Sequence, residues 1–74
     1  MEIYKNLNGN SGVAGYECGS NFIKVKFSSG MTYLYTYNSA GVHNIEQMKE
    51  LAKEGKGLNS YINRIVRNLY EDKW

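Results

Sequence analysis

The sequence predicts an α+β fold: a three-stranded antiparallel β-meander followed by two α-helices packed on one face of the sheet. A change of period carries the prediction. Residues 13–37 hold three short runs rich in β-branched and aromatic side chains, whereas from Val42 onward apolar residues recur at helical intervals. Strands grouped before helices indicate a sheet with one covered and one wet face. At 74 residues the chain has room for one domain and one modest core.

The first dozen residues, with Asn6, Asn8, Gly9, Asn10, Ser11 and Gly12, are turn-rich. Residues 1–11 therefore read as a flexible segment or a short edge strand pinned by Ile3-Tyr4, ahead of a single domain over 12–74. The strand runs are Val13 to Cys18, Phe22 to Phe27 and Met31 to Tyr37, separated by Gly19-Ser20 and Ser28-Ser29-Gly30. Val42, Ile45, Met48, Leu51 and Ala52 mark the first helix, with Asn38 or Ser39 as N-cap, or Asn44 with Gln47 as an internal capping box, and Gly55 as its stop. Leu58, Tyr61, Ile62, Ile65 and Leu69 mark the buried face of the second.

The segment Tyr33-Leu34-Tyr35-Thr36-Tyr37 places three tyrosines at spacing two, so one strand face holds them all. Which face depends on the hairpin loop. A two-residue Ser29-Gly30 loop turns the tyrosines toward Lys24 and Lys26, an aromatic and basic surface on which single-stranded RNA stacks. A three-residue Ser28-Ser29-Gly30 loop with a G1 bulge sets Ile23, Val25 and Phe27 opposite Tyr35, Tyr33 and Met31. One residue of slip exchanges the faces. Burying a large apolar side chain is worth ~1.5–3 kcal/mol and an exposed lysine–tyrosine contact ~0.5–1 kcal/mol, so burial favours the bulged loop and core tyrosines. In the preceding hairpin a two-residue Gly19-Ser20 turn sets Tyr16 opposite Ile23 and Ala14 opposite Val25.

Chemistry-bearing patterns are sparse. Cys18 is the single cysteine and His43 the single histidine, with no orienting third group, which argues against a nucleophile–base pair or a metal site. A lone cysteine in a strand is usually a small hydrophobe. No pattern calls for a cofactor. The lone cysteine and the lack of a signal-like or membrane-length apolar run read as a cytoplasmic protein with no membrane association. Net charge is +2, which names no partner. Lys53, Lys56, Arg64 and Arg67, spanning the inter-helix turn and the polar side of the last helix, form the basic set placed for phosphate contact. Arg64 and Arg67, three apart, share a helix face.

Read in order, Gly15-Tyr16-Glu17, then "IKVKFSSGMTYLY" over residues 23–35, then a helix, then "GKGLNSYI" over residues 55–62, the chain resembles the KTSC domain, found at the C-terminus of some lysyl-tRNA synthetases and as small free-standing bacterial proteins. The match rests on Tyr16-Glu17, the Ile23-Val25-Phe27 alternation, Gly30, Tyr33, Tyr35, Gly55, Lys56, Asn59 and Ile62. Asn38-Ser39 departs from the Val-Pro usual in that family, and Gly57-Leu58 from an aromatic pair. The resemblance implies a small accessory domain without known activity that contacts RNA, tRNA or a single strand. Lys56, Asn59, Arg64 and Arg67 are then the phosphate contacts, and Tyr33 and Tyr35 serve as core or stacking residues. A second expectation is a protein-interaction domain, monomer or weak dimer, self-associating through Phe22 and Leu34 on the uncovered sheet face. Neither expectation makes the protein an enzyme.

Overall fold

The computed structural model of the protein describes residues 1–9 and 11–74; Asn10, within the turn-rich N-terminal segment, lies outside them. The sheet has five strands, not three: β1 (Glu2–Ile3), β2 (Val13–Cys18), β3 (Phe22–Phe27), β4 (Thr32–Thr36) and β5 (Asp72–Lys73), antiparallel throughout and in chain order. The three central strands are those expected, and two-residue strands extend the sheet at each edge. Of the two readings of the N-terminus, the edge strand is realised. Tyr4 follows it into the core, where its backbone N–H donates to the carbonyl of Ala14 at 3.0 Å.

The β3–β4 hairpin closes through the three-residue loop. Ile23 stands opposite Tyr35, Val25 opposite Tyr33 and Lys24 opposite Leu34. The Gly30 N–H donates to the Phe27 carbonyl at 2.9 Å, the Phe27 N–H donates to the Met31 carbonyl at 2.8 Å, and Gly30 takes φ +100°. That conformation is open to glycine at no steric cost. Tyr33 and Tyr35 thus lie on the opposite face from Lys24 and Lys26, and no tyrosine–lysine stacking surface forms there.

The β2–β3 turn differs from expectation. Its central residues are Ser20 and Asn21, closed by the Gly19 N–H donating to the Phe22 carbonyl at 2.9 Å. Tyr16 therefore opposes Val25 and Cys18 opposes Ile23, a shift of two residues that preserves every face. In this turn the Phe22 ring lies across Gly19, where an added Cβ would collide with it. A bulge between Val13 and Gly15 then reverses the alternation, burying Val13 and exposing Ala14, which had been expected inside.

The helical half also departs locally. Thr36 caps a short turn, α1 (Tyr37–Ala40), and forms a capping box with Ser39; neither Asn38 nor Ser39 is the N-cap. Tyr37 accordingly leaves the strand and opens this turn. Asn44 does not form the internal box either, since its side-chain amide donates to the Ala40 carbonyl. Helix α2 (Val42–Glu54) ends at left-handed Gly55 as expected, burying Ile45, Met48 and Ala52 against β3 and β4; Val42, at its first turn, stays 55% exposed.

The last helix, α3 (Leu58–Tyr61), passes directly into a π-turn over Ile62–Val66. Because a π-turn takes more residues per turn than an α-helix, the buried positions become Leu58, Ile62 and Val66, four apart. Ile65 and Leu69, expected inside, are 48% and 42% exposed. Helical structure stops at Val66, and the chain returns as β5 beside β4. With Val66 fully buried and Ile65 half exposed, Val66→Ala costs about 2 kcal/mol through the cavity it leaves, whereas Ile65→Ala stays within ~0.5 kcal/mol. Urea unfolding of the two variants checks this, and a larger loss for Ile65→Ala would restore the regular helix.

Candidate functional site

The early end of the helix leaves a cavity of about 350 Å³ beside the β3–β4 hairpin. The sheet supplies one wall with Phe27, Met31, Tyr33 and Tyr35. Ile62 and Asn63 of the π-turn, followed by Arg67 and Asn68, supply the other, and Ser28 and Ser29 of the hairpin loop also line it. Its volume falls within the ~300–1,000 Å³ range of small-ligand sites.

Aromatic contacts hold the sheet wall. Tyr33 lies between Phe27 and Tyr70, both edge-on to it, with centroids 5.2 and 5.1 Å away, and stacks on Tyr35 at 6.4 Å. Such pairs prefer these geometries because ring edges and faces carry opposite partial charge. Lys73 of β5 brings its ammonium to 5.7 Å from the Tyr33 ring and 5.2 Å from Tyr70. Strand pairing puts it there, since Lys73 stands opposite Tyr33.

The buried tyrosine hydroxyls are treated differently. Tyr4 Oη accepts the Leu58 N–H at 3.3 Å, and Tyr61 Oη donates to Asn44 Oδ1 at 2.7 Å. Tyr35 is fully buried, yet its hydroxyl has no hydrogen-bond partner among the described residues. An unpaired buried hydroxyl costs about 1–3 kcal/mol. Burial, with Tyr33 and Tyr70 adding, pushes its pKa from 10.0 to about 12, so it remains a neutral phenol.

Of the residues singled out from sequence, Tyr33, Tyr35 and Arg67 meet at this cavity. Lys56 and Asn59 do not; with Tyr4 and Asn6 they line a separate depression of about 90 Å³. Arg64 is exposed and lines neither. The π-turn alters the angle between positions three apart, so the helix face that Arg64 and Arg67 were expected to share does not form as expected. Sequence reasoning missed Asn63, Asn68, Tyr70 and Lys73. A regular helix running to Leu69 hides the first two, and a two-residue strand leaves no periodic signal for the others.

Elsewhere, burial pushes the Cys18 thiol up, Lys53 and Lys49 opposing only in part, and His43 is exposed. Among the described residues no group of three His, Cys, Asp or Glu side chains could hold a metal ion, and no helix is long and apolar enough to cross a membrane. No family model, curated protein or solved structure matches the chain.

The raised Tyr35 pKa makes a signed prediction. Above pH 10 the unfolded chain gives up a proton that the native state keeps until about pH 12, so stability is full below 10 and declines through that window. Tyr35→Phe removes this contribution, and its stability declines less between neutral pH and about pH 11. Urea midpoints at the two pH values measure the difference; equal declines in wild type and variant would mean Tyr35 is not the group responsible.

Proposed function

We propose that the protein is a small accessory module that binds single-stranded RNA, a binding domain rather than an enzyme. The observation that carries this reading is the placement of Arg67 in the cavity that Phe27 and Tyr33 line, together with Lys73 against the Tyr33 and Tyr70 rings. Cationic side chains next to aromatic faces are the elements by which proteins hold phosphates and stack unpaired bases. Lys56, Asn59 and Arg64 serve as outlying backbone contacts. The resemblance to the KTSC domain, which accompanies a tRNA-handling enzyme, supports the same reading by context.

The opposite sheet face favours a second reading, self-association. There Phe22 and Leu34 are half-buried, Trp74 is 56% exposed, and Lys24 lies 5.8 and 5.9 Å from the Phe22 and Trp74 rings. Glu17 and Asp72 flank the Lys24–Leu34 row, so this face carries both charge signs and suits a polyanion less well.

The two readings separate by salt. Fluorescence anisotropy with a short single-stranded RNA is expected to give an affinity that falls steeply with salt, and Arg67→Ala lowers the slope of log affinity against log salt by roughly 0.7. Lys56→Ala, outside the cavity, lowers affinity less. Absence of binding at low salt, combined with a concentration-dependent dimer that persists at high salt, would replace the RNA reading with self-association.

A further inference from the structure

The cavity makes demands of a ligand that narrow what it accepts. None of its lining residues is acidic, and Arg67 is the charged one. An anionic group therefore meets no like charge there, in contrast to the depression on the outer face, which Glu71 lines. The sheet wall is aromatic, with Tyr33 and Tyr35 nearly parallel and Phe27 edge-on to Tyr33. Tyr35 is part of that wall, and its buried hydroxyl, able both to donate and to accept, has no protein partner among the described residues. Asn63 and Asn68 bring two side-chain amides, which offer donors and acceptors to a polar ring edge.

We propose that this cavity takes one unstacked nucleotide of an RNA strand. Its base lies against Tyr33, a heteroatom of the base edge hydrogen-bonds the Tyr35 hydroxyl, and its phosphate rests on the Arg67 guanidinium. The inference rests on the single-strand reading above and deepens it: the protein encloses a base rather than only tracking a backbone. A nucleotide supplies all three complements together, a flat ring, a heteroatom edge and an anion one sugar away. A phosphate alone uses only Arg67.

The test follows the tyrosine-ring resonances of the full chain during titration with each of the four nucleoside 5′-monophosphates, with ribose 5-phosphate, and with a short single-stranded RNA. Base-bearing ligands are expected to shift Tyr33 and Tyr35 saturably while ribose 5-phosphate leaves them in place. Tyr35→Phe, which keeps the ring and the fold, weakens nucleotide binding about three- to tenfold, the loss of one hydrogen bond. Arg67→Gln, at an exposed position, removes the preference for nucleotide over nucleoside. Nucleotides that leave the cavity tyrosines unmoved, or that bind Tyr35→Phe as tightly as wild type, overturn the proposal. RNA that shifts Lys73 but not Tyr35 overturns the enclosed base and leaves RNA binding standing. If the monophosphates enter while the RNA shifts nothing, the RNA reading falls and the nucleotide cavity stands.

Discussion

The three-residue loop at Ser28-Ser29-Gly30 is the constraint on which the rest of the molecule depends. With Gly30 at positive φ, the hairpin pairs Val25 with Tyr33 and Ile23 with Tyr35. These four side chains share the face that α2 covers with Ile45, Met48 and Ala52. A loop one residue shorter would set the tyrosines on the same face as Lys24 and Lys26, so that either the rings leave the core with the lysines or the lysines come under the helix with the rings, where a charged group without a partner is strongly disfavoured. The direction of the hairpin therefore decides both what the core contains and which aromatic rings border the cavity.

Two local irregularities complete that core. The bulge between Val13 and Gly15 changes which residues of β2 face inward, and the π-turn at Ile62–Val66 changes which residues of the last helix do. Each inserts a residue into a regular period, so that Val13 and Val66 fill positions that strict alternation or a strict α-helix would give to Ala14 and Ile65. The π-turn has a second consequence. Helical cover ends at Val66, and the chain returns with Tyr70 and Lys73 against Tyr33.

Natural interiors pair nearly all their buried polar atoms, and a phenol without a partner is where an explanation in terms of binding is sought. Tyr4 and Tyr61 show that the fold can satisfy a tyrosine hydroxyl when it packs one. Tyr35 differs in lining a cavity whose one charged residue is Arg67. Aromatic packing against Tyr33 and Tyr70 fixes its ring in place, so a ligand meeting the hydroxyl encounters a group already positioned, with little ordering left to offset.

The sequence by itself determined the α+β class, the three central strands, the course of the α2 helix up to Gly55 and the inward face of Tyr33 and Tyr35, because each follows from local periodicity and the preference for burying apolar area. Only the tertiary structure decided the edge strands, the Ser20-Asn21 turn, the Thr36 cap and the π-turn. A two-residue strand has no period to detect and forms only because a neighbouring edge offers it hydrogen bonds. The π-turn leaves Val66 in the core cluster and Ile65 outside it, an outcome that no local period specifies. The candidate site divides the same way. Its tyrosines and Arg67 could be singled out as types, whereas their meeting at one cavity, apart from Lys56, Asn59 and Arg64, depended on where the last helix stopped.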